Sequence, residues 1–404
     1  MKVALLNTYP HGGAGTACIR LTRALPEVGV QATMLTRDEV GKKWPFYAER
    51  LSFLPFERDK SVRFSFSPAN FGADLRKTPA LQAADVIHLH WVNQGFLSLK
   101  SISELSKLGK PLVWTLHDMW AFTGGCHYSG DCTRWQQACG QCPYLKNPSE
   151  HDLSNRVWRR KQALFPKNIR FVSCSAWLAG LARESSLLRD CAIEDIPNPI
   201  DTRLFAPITD QERLSIRHRM GVPEDSFLLL FVAMKIGEVR KGFHLLRAAL
   251  EHLRRQQPDL QVSLLVMGKS DPETLATLPY PVFPLGLVQG AADLAKAYAA
   301  ADAFVIPSLE DNLPNTVMES LACGTPVAGF RTGGIPEMVT DADQGFLANP
   351  GDTVGLADSI HTLLRGAVPL SAYRLAARRK ALDCYANAVV GARYKALYES
   401  LLNR

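Results

Sequence analysis

No stretch of this chain approaches the roughly 18 consecutive apolar residues that a bilayer span requires, so a transmembrane helix is not expected. The first segment, MKVALLNTYPHGG, turns polar before it forms the apolar core of a secretory signal, and no small-residue cleavage site follows. A cytoplasmic location is the resulting expectation, with peripheral contact at the inner face of the membrane as its variant. Cysteine occurs nine times, an odd number that rules out complete internal pairing, and in a reducing compartment the thiols stay reduced. No low-complexity segment and no short repeat is visible.

What is present is a globular composition, 47% hydrophobic and 21% charged over 404 residues, enough for two domains of ordinary size. The formal charge of +7 suits anionic partners, whether phosphorylated ligands, an anionic membrane surface or nucleic acid, without choosing among them. Short apolar runs at 2–7, 31–35, 86–89, 112–116 and 170–173 alternate with helical patterns, which predicts a parallel sheet covered on both faces. The alternation breaks at Pro197-Asn198-Pro199-Ile200-Asp201, a stiff connection. It then restarts with strands at 227–232, 261–267, 303–307 and 326–330, and helices at 243–254, 294–301 and 316–322. The expected class is α/β, with two Rossmann-like doubly wound domains facing across a cleft. Their boundaries are 1–196, a hinge at 197–206, a second domain at 207–369 and a helical region at 370–404 that packs back toward the first. Ligands of such folds bind at the carboxyl ends of the strands.

The most informative segment is PSLEDNLPNTVMESLACGTPV, residues 307–327, followed by Gly333-Gly334-Ile335-Pro336-Glu337. Asp311 and Glu319 are separated by seven residues, one before a helix and one inside it. A carboxylate at Glu319 can accept two hydroxyl hydrogen bonds, which matches the vicinal diol of a ribose. Backbone amides around 312–316, at the helix start, suit a phosphate or sugar oxygen. Upstream, Arg240 and Lys241 precede Gly242 and a helix, two cations placed to neutralise a departing diphosphate.

These segments resemble the acid-x7-acid and Arg…Lys-Gly elements of glycosyltransferase family four, GT-B fold, in its exopolysaccharide and colanic-acid branch. The resemblance implies that Glu319 holds the donor ribose and that Asp311, Asn312 and Leu313 meet the transferred sugar. Lys241 matches the family's lysine, while Lys235 and Arg240 compete for the place of its arginine. It also implies metal-independent transfer, with retained anomeric configuration, from a UDP- or GDP-sugar to a saccharide or lipid-linked acceptor in surface polysaccharide synthesis. Asp311 stands where the family more often has Glu, and Pro199 replaces a customary hinge glycine.

In the first half, the glycines at 12, 13 and 15 follow the first strand and open a helix. The family's glycine loop faces the donor, which makes Gly13 and Gly15 donor-binding candidates. The competing reading is a dinucleotide fingerprint, Gly13-x-Gly15-x-x-Cys18 with Asp38, which lacks its third glycine. His117 and Asp118 end a strand, and by family match His117 belongs near the reacting centre. His88 and His90 share a strand face, as packing or as a metal pair. Cys126, Cys132, Cys139 and Cys142, within an insert at 124–146, have the ligand number of a structural zinc site; unliganded thiols and disulfides stay open beside it. Two mixed basic and apolar segments, 42–56 (Lys42, Lys43, Trp44, Phe46) and 155–164 (Trp158, Arg159, Arg160, Lys161), are read as lipid-contacting or as ordinary basic faces. An NAD-dependent Rossmann oxidoreductase and a zinc-containing nucleic-acid module are the rival classes. Neither accounts for 307–337, so no nucleic-acid partner is expected.

Overall fold

The computed structural model describes residues 1–40 and 43–403; Lys42, read above as lipid-contacting, lies outside the described residues. The chain forms two compact units, Met1–Pro199 together with the chain from Val390 onward, and Ile200–Val389. Their division falls inside the segment 197–206.

The first unit holds the strands β1 (Lys2–Leu6), β2 (Gln31–Leu35), β3 (Val86–Leu89), β4 (Leu112–Leu116), β5 (Ile169–Ser173) and β6 (Ile193–Asp195). They make one parallel sheet in the order β2-β1-β3-β4-β5-β6. Its central strands read VIHL and LVWTL and are buried along their whole length, as strands covered on both faces must be. Leu6, Leu89, Trp114 and Phe171 build the core on one face. On the other, Leu5, Val113 and Val172 pack with Val390, Tyr394 and Tyr398 of the last helix, Asn387–Leu402. The region 370–404 is therefore two helices, of which Leu370–Tyr385 belongs to the second unit.

The second unit holds β7 (Phe227–Lys235), β8 (Val262–Lys269), β9 (Val282–Gly286), β10 (Ala303–Ile306), β11 (Val327–Phe330) and β12 (Gly345–Ala348). All pair in parallel in the order β12-β11-β10-β7-β8-β9. β6, β9 and β12, of three to five residues, lie outside the apolar runs read from the sequence; β6 is largely acidic, and β9 and β12 each include a glycine. β9 also contains Pro284, which an edge strand tolerates because one side of its backbone needs no ladder partner.

The glycines at 12, 13 and 15 open the helix Gly12–Ala24 and lie in its first turn. Gly15 is required by packing, since a Cβ there would lie 2.5 Å from the Tyr9 carbonyl oxygen. The segment 155–164 departs from the lipid-contacting reading. It lies in the helix Leu153–Leu164, capped by Asp152 on the amides of Ser154 and Asn155, and it buries Trp158 and Lys161 instead of presenting them to lipid.

Candidate functional site

In doubly wound sheets, the loops leaving two adjacent strands diverge where the strand order reverses, and ligands enter there. In the second unit that point lies between β7 and β10. The exit of β7 runs through the turn Val239–Lys241 to Gly242, where φ is 72°. A Cβ on Gly242 would lie 1.9 Å from the Pro307 carbonyl oxygen, so the exits of β7 and β10 meet backbone to backbone. Leu309 N donates to Arg240 O at 2.9 Å, and Arg240 Nη1 to Glu310 O at 2.7 Å.

That closure sets the charges. Lys241 Nζ lies 2.6 Å from Asp311 Oδ2, and Arg240 Nη1 lies 3.8 Å from the same oxygen while Nη2 pairs with Glu238 at 2.9 Å. The exit of β11 clamps the acidic loop from the other side. A Cβ on Gly333 (φ +56°) would lie 1.7 Å from Asp311 O, and Gly334 N donates to Asn312 O at 2.7 Å. Asn312 and Leu313 are buried under this clamp, and Glu319 is buried on the helix Asn315–Ala322 that follows. Of the two residues competing for the arginine's place, Arg240 is brought to the carboxylate. Lys235 is exposed at the end of β7, in register with Lys269.

The same unit holds a feature with no counterpart in the sequence reading. An open pocket at the ends of β8 and β9 is lined by Gly268, Lys269, Leu275, Tyr280, Val282 and Leu287. Gly268 presses against β7, its Cβ position only 1.7 Å from Ala233 O. The available signal was the turn Met-Gly-Lys-Ser-Asp after an apolar run.

In the first unit the order reverses between β1 and β3. The two exits are tied by Thr8 Oγ1 to Trp91 O (2.9 Å) and Asn93 O (2.8 Å), and by Trp91 N to Asn7 Oδ1 (2.9 Å). Gly13, in the adjoining helix turn, has open space where a side chain would be. His117, just past β4, has its Nε2 2.9 Å from His90 Nδ1 and its Nδ1 3.6 Å from Cys174 Sγ. Burial lowers the His117 ring to about 4, so at neutral pH it is an uncharged hydrogen-bonding group. His90 is pushed further down by burial and by its histidine neighbours, and its buried Nε2 has no hydrogen-bond partner among the described residues. His88 is fixed by Tyr398 Oη and Thr115 Oγ1, each at 2.7 Å, so the pair His88/His90 is packing and support.

Asp118, the next residue, hydrogen-bonds to a separate set of partners. Burial alone would raise its carboxyl, but His127 (2.6 Å), the Trp120 amide (2.8 Å) and Trp91 Nε1 (2.8 Å) together hold it below its ordinary value. The next turn is braced by Lys161, whose Nζ donates to Trp120 O and to Thr123 O (3.0 Å) and lies 3.6 Å from the centre of the Trp120 ring. Burial brings this ammonium down to about 7. Cys126, Cys132, Cys139 and Cys142 line one small cavity beside it as free thiols. Burial pushes Cys139 up to about 11 and Cys142 to about 12, toward the neutral form. Among the described residues, no group of three or more His, Cys, Asp or Glu side chains is arranged to hold a metal ion, so the cysteine spacing produces a shared cavity without a ready ligand set.

Known proteins share this architecture. Sucrose-phosphate synthase from Thermosynechococcus elongatus superposes over 100% of this chain and 99% of its own, with TM-score 0.67 and 18% identity. Anabaena HepE in complex with UDP superposes over 99% and 100%, with TM-score 0.68 and 18% identity. In sequence, a D-inositol 3-phosphate glycosyltransferase of Xylanimonas cellulosilytica is 26% identical over 93% of this chain and 90% of that protein. The putative colanic acid biosynthesis glycosyl transferase of Escherichia coli K12 is 28% identical over 67% of this chain and 65% of its own length. A sulfoquinovosyl transferase of Arabidopsis thaliana is 35% identical, but over 41% of this chain and only 32% of that protein. The chain thus spans less than two thirds of these last two relatives. The family described as Glycosyltransferase Family 4 matches residues 11–204, and Glycosyl transferases group 1 matches residues 226–366. With one match on each unit, the chain belongs to the group 1, family 4 glycosyltransferases of GT-B fold.

Proposed function

We propose that this chain transfers a sugar from a UDP- or GDP-sugar to a saccharide or lipid-linked acceptor, without a metal cofactor and with retention of configuration, in bacterial surface polysaccharide synthesis. The observation that carries the reading is the Arg240–Lys241 pair converging on Asp311 at the switch point of the second sheet. A leaving nucleoside diphosphate gains negative charge as its bond to the anomeric carbon breaks. Two fixed cations and the first-turn amides of the helix Asn315–Ala322 can take up that charge, which is the work a divalent ion does elsewhere. Glu319 is assigned to the ribose diol, and Asp311, Asn312 and Leu313 to the sugar. The apolar pocket at 268–287, with Tyr280, suits the base. On the first unit, Gly13 and Gly15 are assigned to the donor side, and the neutral His117 to hydrogen bonding at the reacting sugar. Retention is carried over from the family resemblance and is part of the proposal. The acceptor class draws on relatives named for colanic acid and for a GDP-mannose-dependent phosphatidylinositol mannoside reaction. A lipid-linked acceptor is assigned to peripheral contact at the inner face of the membrane; among the described residues no helix is long and apolar enough to cross one.

The test is a thermal-shift screen of UDP- and GDP-sugars on the wild type and on Glu319→Gln. One nucleotide series should raise the melting temperature, and the variant should bind it about tenfold more weakly, the scale of a lost charge-assisted hydrogen bond. Equal affinity in a variant that melts like the wild type removes the ribose assignment.

A further inference from the structure

The helix Trp44–Phe53 is built inside out. Its inward face holds Pro45, Glu49 and Phe53, all buried. The Glu49 carboxylate accepts the amides of Ala69 (2.6 Å), Asn70 (2.8 Å) and Phe71 (3.0 Å), and Phe53 stacks on Phe66 with ring centres 5.0 Å apart. These contacts fix the helix's rotation. The outward face is consequently apolar: Trp44 is 59% exposed, Tyr47 61% and Leu51 66%, with Leu54 next in line and Phe64 at 64% just beyond. Positions 44, 47, 51 and 54 follow the helical period and form one stripe. A solvated helix carries the reverse arrangement, polar side out. Exposed cations flank the helix along the chain: Lys43 precedes it, Arg58 and Lys60 follow it, and Arg50 lies over the Phe64 ring at 4.8 Å. The two acids between residues 54 and 64 are each paired, Asp59 with Arg58 and Glu57 with Arg63.

We propose that this stripe and its cationic rim form a docking face for an anionic lipid bilayer. Tryptophan, tyrosine and leucine enter the headgroup–acyl boundary, while lysine and arginine remain at the phosphates. A protein partner would be served by the apolar stripe alone; the cation-rimmed combination favours the anionic interface. The partner is the surface on which a lipid-linked acceptor resides, and in that respect the inference rests on the function proposed above. Its test is separate from donor binding.

The full chain is sedimented with vesicles of equal parts phosphatidylglycerol and phosphatidylcholine, and with phosphatidylcholine alone. Of seven tryptophans, Trp44 alone is exposed, so its entry into lipid shifts the emission to the blue. Wild type should bind the anionic vesicles, bind more weakly in high salt, and show the shift. Tyr47→Ser/Leu51→Glu should bind at least about tenfold more weakly, with its melting temperature and nucleotide-sugar affinity unchanged. Should that variant melt early, Lys43→Glu/Lys60→Glu, changed only at exposed cations, takes its place. Absent binding by wild type, equal binding by the variant, or a stripe buried instead in a concentration-dependent dimer overturns the proposal. Vesicle binding without nucleotide-sugar binding would sink the proposed function and leave this face standing.

Discussion

Acidification from pH 7 to 5 should destabilise the first domain through histidines it keeps uncharged. His88 is wholly buried among His90, Thr115, Tyr394 and Tyr398, and burial pushes its ring down to about 3. His90, also buried, lies well below its ordinary value for the same reason. An unfolded histidine titrates near 6.5, so below that pH the unfolded chain takes up protons that the native rings refuse. Both folded values are depressed; the stability they contribute is therefore complete above about pH 6.5 and is lost as the pH falls. Each ring gives a slope of about 1.4 kcal/mol per pH unit, and the two together cost roughly 4 kcal/mol between pH 6.5 and 5. The partly exposed His117 shifts in the same direction. Glu49, whose carboxyl burial pushes up, works the other way and can only shrink the slope. An unfolded carboxylate titrates near 4, below this window. Urea denaturation followed by tryptophan fluorescence at pH 7, 6 and 5 measures the effect. His88→Gln should reduce the slope by about 1.4 kcal/mol per unit. A flat profile from pH 6.5 to 5, or an unchanged slope in the variant, refutes the reasoning.

Lys241→Met should weaken nucleoside diphosphate binding by about ten- to a hundredfold, read by calorimetry. Its own stability should change by less than about 1 kcal/mol, because the pair with Asp311 is partly solvated; unaltered binding would detach Lys241 from the diphosphate. Gly333→Ala puts a Cβ against the Asp311 carbonyl at a positive φ. A loss of about 2–4 kcal/mol in a melting experiment is expected, with weaker donor binding, and a wild-type melt would contradict the clamp. His117→Ala should lower kcat by about ten- to a thousandfold and leave KM for the donor within a few-fold. An equal rise in KM with kcat intact would make the ring a binding group only.

Much of this protein was legible before any coordinates, because the signals are local. Apolar runs of strand length alternating with amphipathic helices announce a doubly wound sheet, and a two-proline interruption marks where one such sheet ends. Asp311 and Glu319 stand out because they match the family's acid-x7-acid motif, a local signal that spans one turn and one helix. The cation pair at 240–241 was read as diphosphate-binding from position alone, and its approach to Asp311 needs only that β7 and β10 be neighbours. Three kinds of feature stayed hidden. β9 is broken by Pro284 and ends on Gly286, which leaves it no unbroken apolar run. The His117–His90 pairing joins residues from separate strands. Lys161, a surface cation to any sequence reading, is buried because its helix faces the turn after β4.

Composition and periodicity by themselves determined the class of fold, the number of sheets and the loop that carries the acids, since each depends on residues within one turn or strand of each other. Tertiary structure alone decided which side chains are dry, which carboxylate the cations face, and that the helix at 44–53 turns its apolar side outward. Burial and charge pairing depend on neighbours supplied by distant parts of the chain, and a linear string does not carry those distances.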